Sequence, residues 1–190
     1  MKTENKIIKY LIETKKEVTI RDLSKNIKSD YKIVNTSIHR LIEKDILEGE
    51  RIGNSIKIKL KSKLSKEIIC AEFERRENIL KNKNLNVMLE SLKENISTVN
   101  LVILLFGSYA KNKATKSSDI DLMFIIPEIN FEKDIEKAIS LLPLKIHSLV
   151  FTEKQFVNMK NSTELNVVKE AIKNNIILQG IEQYYYIINK

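Results

Sequence analysis

The chain reads as an α+β protein in which a basic helical module precedes a small mixed sheet flanked by helices. Three observations predict this. Apolar residues recur at helical spacing through the first 45 residues, then give way to strict alternation in Ser55-Ile56-Lys57-Ile58-Lys59-Leu60. Two apolar runs, one ending at Phe106 and one starting near Ile120, enclose a Gly107-Ser108 turn and a basic loop. Charge is divided unevenly: residues 1–64 hold 16 Lys and Arg against 9 Asp and Glu, whereas residues 65–190 hold 17 against 16. Such asymmetry predicts that the first third meets a polyanion.

Composition bounds the rest. At 190 residues, 43% hydrophobic and 31% charged, the chain suits one large globular domain or two small ones and excludes a disordered protein. No apolar run approaches the ~20 residues of a membrane span. The opening MKTENKIIKYLIETKKE lacks a signal-peptide core, so a cytoplasmic protein with no membrane partner is expected. The single cysteine, Cys70, excludes an internal disulfide and a cysteine-based zinc site; its apolar neighbours predict a packing role.

In order along the chain, Ile7, Ile8, Leu11 and Ile12 predict a helix over 4–16, followed by the β-prone link Val18-Thr19-Ile20. Leu23 and Ile27, four apart, predict a second helix over 21–27. Ser29-Asp30 supplies a turn and a cap for a third helix over 31–45, which buries Ile33 or Val34, Ile38, Leu41 and Ile42. Residues 48–52 and 55–60, joined by Gly53-Asn54, form a hairpin. The order helix, strand, helix-turn-helix, hairpin resembles the winged helix-turn-helix family. That resemblance covers residues 1–62 of a domain placed at 1–64 and implies binding to double-stranded DNA, with helix 31–45 in the major groove. Tyr31, Lys32, Asn35, Thr36, His39 and Arg40 would face bases and phosphates, and Arg51, Lys57, Lys59, Lys61 and Lys63 of the wing would meet the backbone. A two-fold homodimer is the expected form for reading a two-fold operator.

Residues 65–97 read as connecting amphipathic helices. Ile68, Ile69, Ala71, Phe73, Ile79 and Leu80 mark the first, and Leu85, Val87, Met88, Leu89 and Leu92 the second, with a break at Lys81-Asn82-Lys83-Asn84. Beyond the two apolar strands, in the domain spanning 98–190, Pro127 ends the second strand and a helix is expected over 132–142. A third strand follows over 144–151. Thr152-Glu153 and Asn161-Ser162-Thr163 cap two more helices, the latter carrying Leu165, Val168, Ala171 and Ile172 and ending in Ile176-Ile177-Leu178-Gln179-Gly180. The closing Tyr184-Tyr185-Tyr186-Ile187-Ile188 is expected to dock or associate.

The chemistry concentrates between residues 101 and 126. Aspartates two apart on a strand share a face, so Asp119 and Asp121 can share a divalent cation. A Gly-Ser turn offers backbone N–H groups and a hydroxyl to phosphate. These are the parts of a site for a metal-bound nucleoside triphosphate. Gly107-Ser108, ten residues, then Asp119-x-Asp121 resembles the signature of the DNA-polymerase-β-like nucleotidyltransferase superfamily, and its minimal members most closely. The resemblance implies that Asp119 and Asp121 hold Mg2+ (or Mn2+), and that Gly107, Ser108 and Lys111 hold the phosphates of an NTP, ATP being the expected one. Lys113 and Lys116 add positive field. It further implies transfer of a nucleoside monophosphate, AMP in the expected case, to a hydroxyl, with a protein such as a cognate toxin as one kind of acceptor. The alternative is a DNA-binding transcriptional regulator whose nucleotidyltransferase domain is inactive or only senses nucleotide.

The family's third carboxylate has no counterpart in strand 144–151. By register His147 or Ser148 falls in its place, Lys145 would oppose a cation, and Glu153 lies past the strand end. His147 is the expected proton acceptor.

Overall fold

The computed structural model describes residues 2–96, 98, 100–115 and 117–190. The chain divides into two compact units, 1–74 and 75–190, a division that falls inside a helix rather than near residue 64.

In the first unit α1 (Thr3–Thr14) leads through β1 (Val18–Thr19) to α2 (Ile20–Asn26) and α3 (Tyr31–Glu43), and β2 (Leu47–Ile52) and β3 (Ser55–Leu60) form the hairpin. Side-chain caps set the helix starts. The Thr19 hydroxyl accepts the Asp22 N–H at 3.1 Å, and the Asp30 carboxylate accepts the Lys32 N–H at 2.8 Å. Helix α3 stops at Glu43, short of residue 45, because Asp45 takes a left-handed conformation (φ 60°) and Ile46 N–H closes back on the Leu41 carbonyl at 2.9 Å. The sheet has the order β1-β3-β2, antiparallel throughout, with Val18 opposite Ile58 and Leu47 opposite Leu60. Ile7, Ile8, Leu11, Leu23, Val34, Ile38, Leu41 and Ile58 fill the core. Of the two α3 candidates, Val34 is the buried one; Ile33 is 55% exposed.

Helix α4 (Lys66–Ile79) carries the chain across the division. Ile68 and Ala71 are buried, but Phe73 and Cys70 are exposed, so the expected packing role of the cysteine is corrected. The apolar residues of this helix are spread around it rather than gathered in one stripe, which is why periodicity misassigned them. Asn82 ends the break by capping α5 (Lys83–Asn95).

The second unit holds a four-stranded mixed sheet of order β6-β5-β4-β7. Strands β4 (Val102–Phe106) and β5 (Ile120–Ile126) are antiparallel neighbours at its centre and buried nearly throughout. Between them the four-residue α6 (Gly107–Ala110) and a loop make the turn. A short 3-10 helix (Ile129–Phe131) and α7 (Glu132–Ser140) return the chain to β6 (Ile146–Thr152), parallel to β5. Helix α8 (Glu153–Asn161) follows with a full capping box between Thr152 and Gln155.

Helix α9 (Val167–Lys173) starts later than the sequence suggests. Asn166 caps it, and Leu165 lies outside it, 98% exposed, correcting its place on the buried face. Ile176–Gln179, expected as a helix end, is the strand β7, antiparallel to β4. Its apolar run between Asn174-Asn175 and Gly180 is the local signal that was available. In α10 (Ile181–Ile188) Tyr184 and Tyr185 dock inward and Tyr186 stays exposed.

Alternation along the central strands decides what covers each side of the sheet. Ile103 and Leu105 with Leu122 and Phe124 face α5 and α7 through Leu85, Met88, Leu92 and Ile135. The opposite side, which carries Phe106 and Asp121, is the side of α8, α9 and α10. Among the described residues no helix is long and apolar enough to cross a membrane.

Candidate functional site

The site forms where β4 ends. Strand pairing places Phe106 opposite Asp121, so the next residue, Gly107, lies against the Asp121 side chain. Gly107 has φ +66°, and a β-carbon there would stand 2.0 Å from Asp121 Oδ2 and 2.8 Å from its Cγ. The Asp121 carboxylate thus occupies the space that any other residue would need at position 107. Both the backbone turn and the approach of the acid require glycine. Asn112, at φ 53°, then closes the short helix, with Lys113 N–H on the Ser108 carbonyl at 2.9 Å.

The parallel ladder β5–β6 places His147 beside Asp121, with His147 Nδ1 3.2 Å from Asp121 Oδ1. Of the two register candidates the structure therefore brings His147 to the acid. Ser148, next along the strand, points to the other side. Asp121 is partly covered and His147 largely exposed. Asp119 is exposed and stands one residue before β5, not inside the strand as expected. Its position is fixed from both sides. Ile120 N–H bonds the Lys145 carbonyl at 2.9 Å, and the preceding loop is pinned by Thr115 N–H on Ser118 Oγ at 2.9 Å.

Lys111 caps α6, and its Nζ lies 3.0 Å from Glu170 Oε1 on α9, so any phosphate must compete with that carboxylate. Lys113 is exposed, and Lys116 falls outside the described residues. Glu153 is at the opposite end of the β5–β6 ladder, beyond Thr152, where it pairs with Lys190; it is not a member of this site. Among the described residues no group of three or more His, Cys, Asp or Glu side chains is placed to hold a metal ion. The carboxylates near the start of β5 are Asp121, within the strand, and Asp119, one residue before it. Mg2+ is commonly held by one or two carboxylates together with phosphate oxygens of its nucleotide, so the donor set fits an ion arriving with a triphosphate.

In the first unit, Tyr31, Lys32, Thr36, His39 and Arg40 are exposed along α3, and Asn35 is half-buried. Lys59 Nζ lies 3.4 Å from Glu48, and Lys57 stands opposite Glu50 in the ladder. Lys61 and Lys63 both bond Asp45, and those hydrogen bonds, Lys61's first, hold its carboxyl below the usual range. Arg51 Nε donates to the Gly53 carbonyl at 3.4 Å. The hairpin lysines thus lie beside acids that offset their charge. Arg21 and Lys25, which the sequence pattern did not single out, instead line a groove of about 690 Å³ with Tyr31, Asn54 and Ser55. Their exposure on α2 was legible from the apolar spacing, but not the groove.

No curated protein and no solved structure matches the chain. The family described as "Polymerase beta, Nucleotidyltransferase" matches residues 88–183, from the middle of α5 to the start of α10. That span takes in the whole four-stranded sheet and the Gly107–Asp121–His147 cluster, and it is just over half of the chain. The chain belongs to the polymerase beta nucleotidyltransferase family.

Proposed function

We propose that the protein transfers a nucleoside monophosphate, AMP from ATP, to a hydroxyl of a macromolecular acceptor, and that its N-terminal unit is a winged helix binding double-stranded DNA. The observation that carries the first half is the Asp121 carboxylate seated in the side-chain space of Gly107 with His147 Nδ1 at 3.2 Å. Backbone N–H groups at the turn and the Ser108 hydroxyl hold the β- and γ-phosphates, and Lys111 joins them on release from Glu170. Asp119 and Asp121 hold the divalent cation, which supplies charge neutralisation for the leaving pyrophosphate. The acceptor oxygen bonds the α-phosphorus as the bond to the β-phosphate oxygen breaks. His147 accepts the hydroxyl proton in place of a third carboxylate. The exposure of His147 beside the partly covered Asp121 leaves this end of the site open to a hydroxyl presented by a macromolecule, such as a protein of the cognate-toxin kind.

Labelled ATP with Mg2+ or Mn2+ and candidate acceptors tests this reading. Replacing His147 by alanine should slow transfer about 10²-fold, the usual scale of a lost general base, with a smaller change in KM for ATP. An unchanged rate would remove His147 from the chemistry.

The place of His147 where an acid is expected also favours a second reading, a DNA-binding regulator whose nucleotidyltransferase domain senses nucleotide. Both readings need the first unit on DNA, and charge makes a specific prediction there. The Lys32→Ala/Arg40→Ala protein should bind a labelled duplex at least about 10-fold more weakly at ~100 mM salt, with a shallower salt slope. Lys57→Ala/Lys59→Ala should cost less than about 2-fold, because Glu48 and Glu50 already offset those charges. An equal loss in both would mean that the hairpin lysines leave their acids to meet phosphate.

A further inference from the structure

Helix α3 exposes two large hydrophobic residues, Tyr31 at its first position and Ile33, and of these only Ile33 has a wholly apolar side chain. Val34, Ile38 and Leu41 are fully buried, whereas Ile33 is 55% exposed on the opposite side. It lies three and seven residues before Thr36 and Arg40, so the three form a single exposed stripe, with Lys32 alongside. No carboxylate among the described residues pairs with Lys32 or Arg40, while Glu48 is matched to Lys59, and Asp45 to Lys61 and Lys63. The stripe is therefore cationic at its ends and apolar at Ile33, close to the helix start capped by Asp30. The partner it fits carries anions along its length and small apolar groups at intervals. Double-stranded DNA has that pattern in the major groove, where the only apolar group on a base edge is the thymine 5-methyl.

We propose that Ile33 reads thymine through its 5-methyl group, with Thr36 and Arg40 on adjacent base edges or phosphates, so that it is a specificity-determining residue of α3. The inference rests on the DNA-binding half of the function proposed above. A β-branched side chain suits the role because its single preferred rotamer in a helix presents a fixed apolar surface at little further entropy cost. A longer polar residue would contact phosphate as readily as a base.

The test uses the full chain and duplexes selected from a random-core pool by retention on the protein. Each selected duplex is then made again with deoxyuridine for thymidine, which removes the methyl and leaves the Watson–Crick edge intact. Native protein should bind the thymidine duplex about 4-fold more tightly for each methyl buried against Ile33. Ile33→Ala should bring the ratio of the two affinities close to one while leaving the salt slope and the helical circular dichroism unchanged, and Ile33→Val should keep most of the ratio. Retention of duplexes with equal affinity for both forms, or a ratio that survives in Ile33→Ala, overturns the inference and leaves the DNA-binding reading standing. A change of oligomeric state in Ile33→Ala with an unaltered ratio assigns the residue to self-association instead. No retention of any duplex at low salt overturns both.

Discussion

Asp121→Asn should lower nucleotidyl transfer by about 10³-fold or more, equivalent to about 4 kcal/mol of transition-state stabilisation. The substitution removes one negative charge and almost no volume. Backbone pairing of residue 121 with Phe106 and His147 is untouched, so the sheet and the Gly107 contact should persist. Asp119→Asn should fall in the same direction by about 10²- to 10³-fold, since that carboxylate is exposed and outside the ladder, where water replaces it more easily. A direct readout separates a cation-holding role from a structural one. Mn2+ bound in the presence of a non-hydrolysable ATP analogue should be detectable by electron paramagnetic resonance in the native protein and weakened in both variants. An Asp121→Asn protein that retains a tenth of native activity with unchanged Mn2+ binding would place the ion elsewhere. His147→Asp is the informative companion. It supplies a third acid beside Asp121, and it should strengthen Mn2+ binding relative to His147→Ala.

Legibility followed the type of signal. The central strands and the Gly-Ser turn were readable because continuous apolar runs and a glycine between them leave few alternatives. The helix starts at Asp30 and Thr152 were readable because a side-chain cap is a local hydrogen bond. Positions that depend on partners distant in sequence were not. Whether His147 or Ser148 meets Asp121 is set by the pairing of two strands joined through α7, and one residue of register reverses the answer. Lys111 reads as a free loop cation until α9 brings Glu170 to it. The hairpin lysines read as a basic wing until the ladder sets Glu48 and Glu50 across from them. In α3 periodicity permitted either Ile33 or Val34 to be buried, and only packing against α1 and α2 decided for Val34. The short β7 lost its identity to the helical pattern that runs into it from α9. In each case the missing information was tertiary contact rather than local preference.

The second large effect is expected at Gly107. In Gly107→Ala two costs act together. A β-carbon at φ +66° is held in the left-handed region, worth about 1–2 kcal/mol. That β-carbon also falls 2.0 Å from Asp121 Oδ2, a separation no real structure keeps, so the carboxylate or the turn must move. Together they should lower stability by about 2–4 kcal/mol, seen as a fall in urea midpoint with little change in slope. Transfer should drop about 10²-fold or more, because an ångström of displacement at Asp121 spoils alignment. Gly53→Ala separates the two causes. That glycine has φ +57° but open space around it, so its variant should lose about 1 kcal/mol from backbone strain alone and keep full transfer activity. Combining Gly107→Ala with Asp121→Ala removes the steric conflict and keeps the backbone strain. Removing the carboxylate leaves the Asp121 β-carbon, at 3.2 Å, as the nearest of the contacts from that side chain, a distance that a small shift accommodates. The two stability losses should therefore be less than additive by about 1 kcal/mol or more, as expected for side chains competing for one space. Strict additivity would mean that the carboxylate does not fill the space beside Gly107.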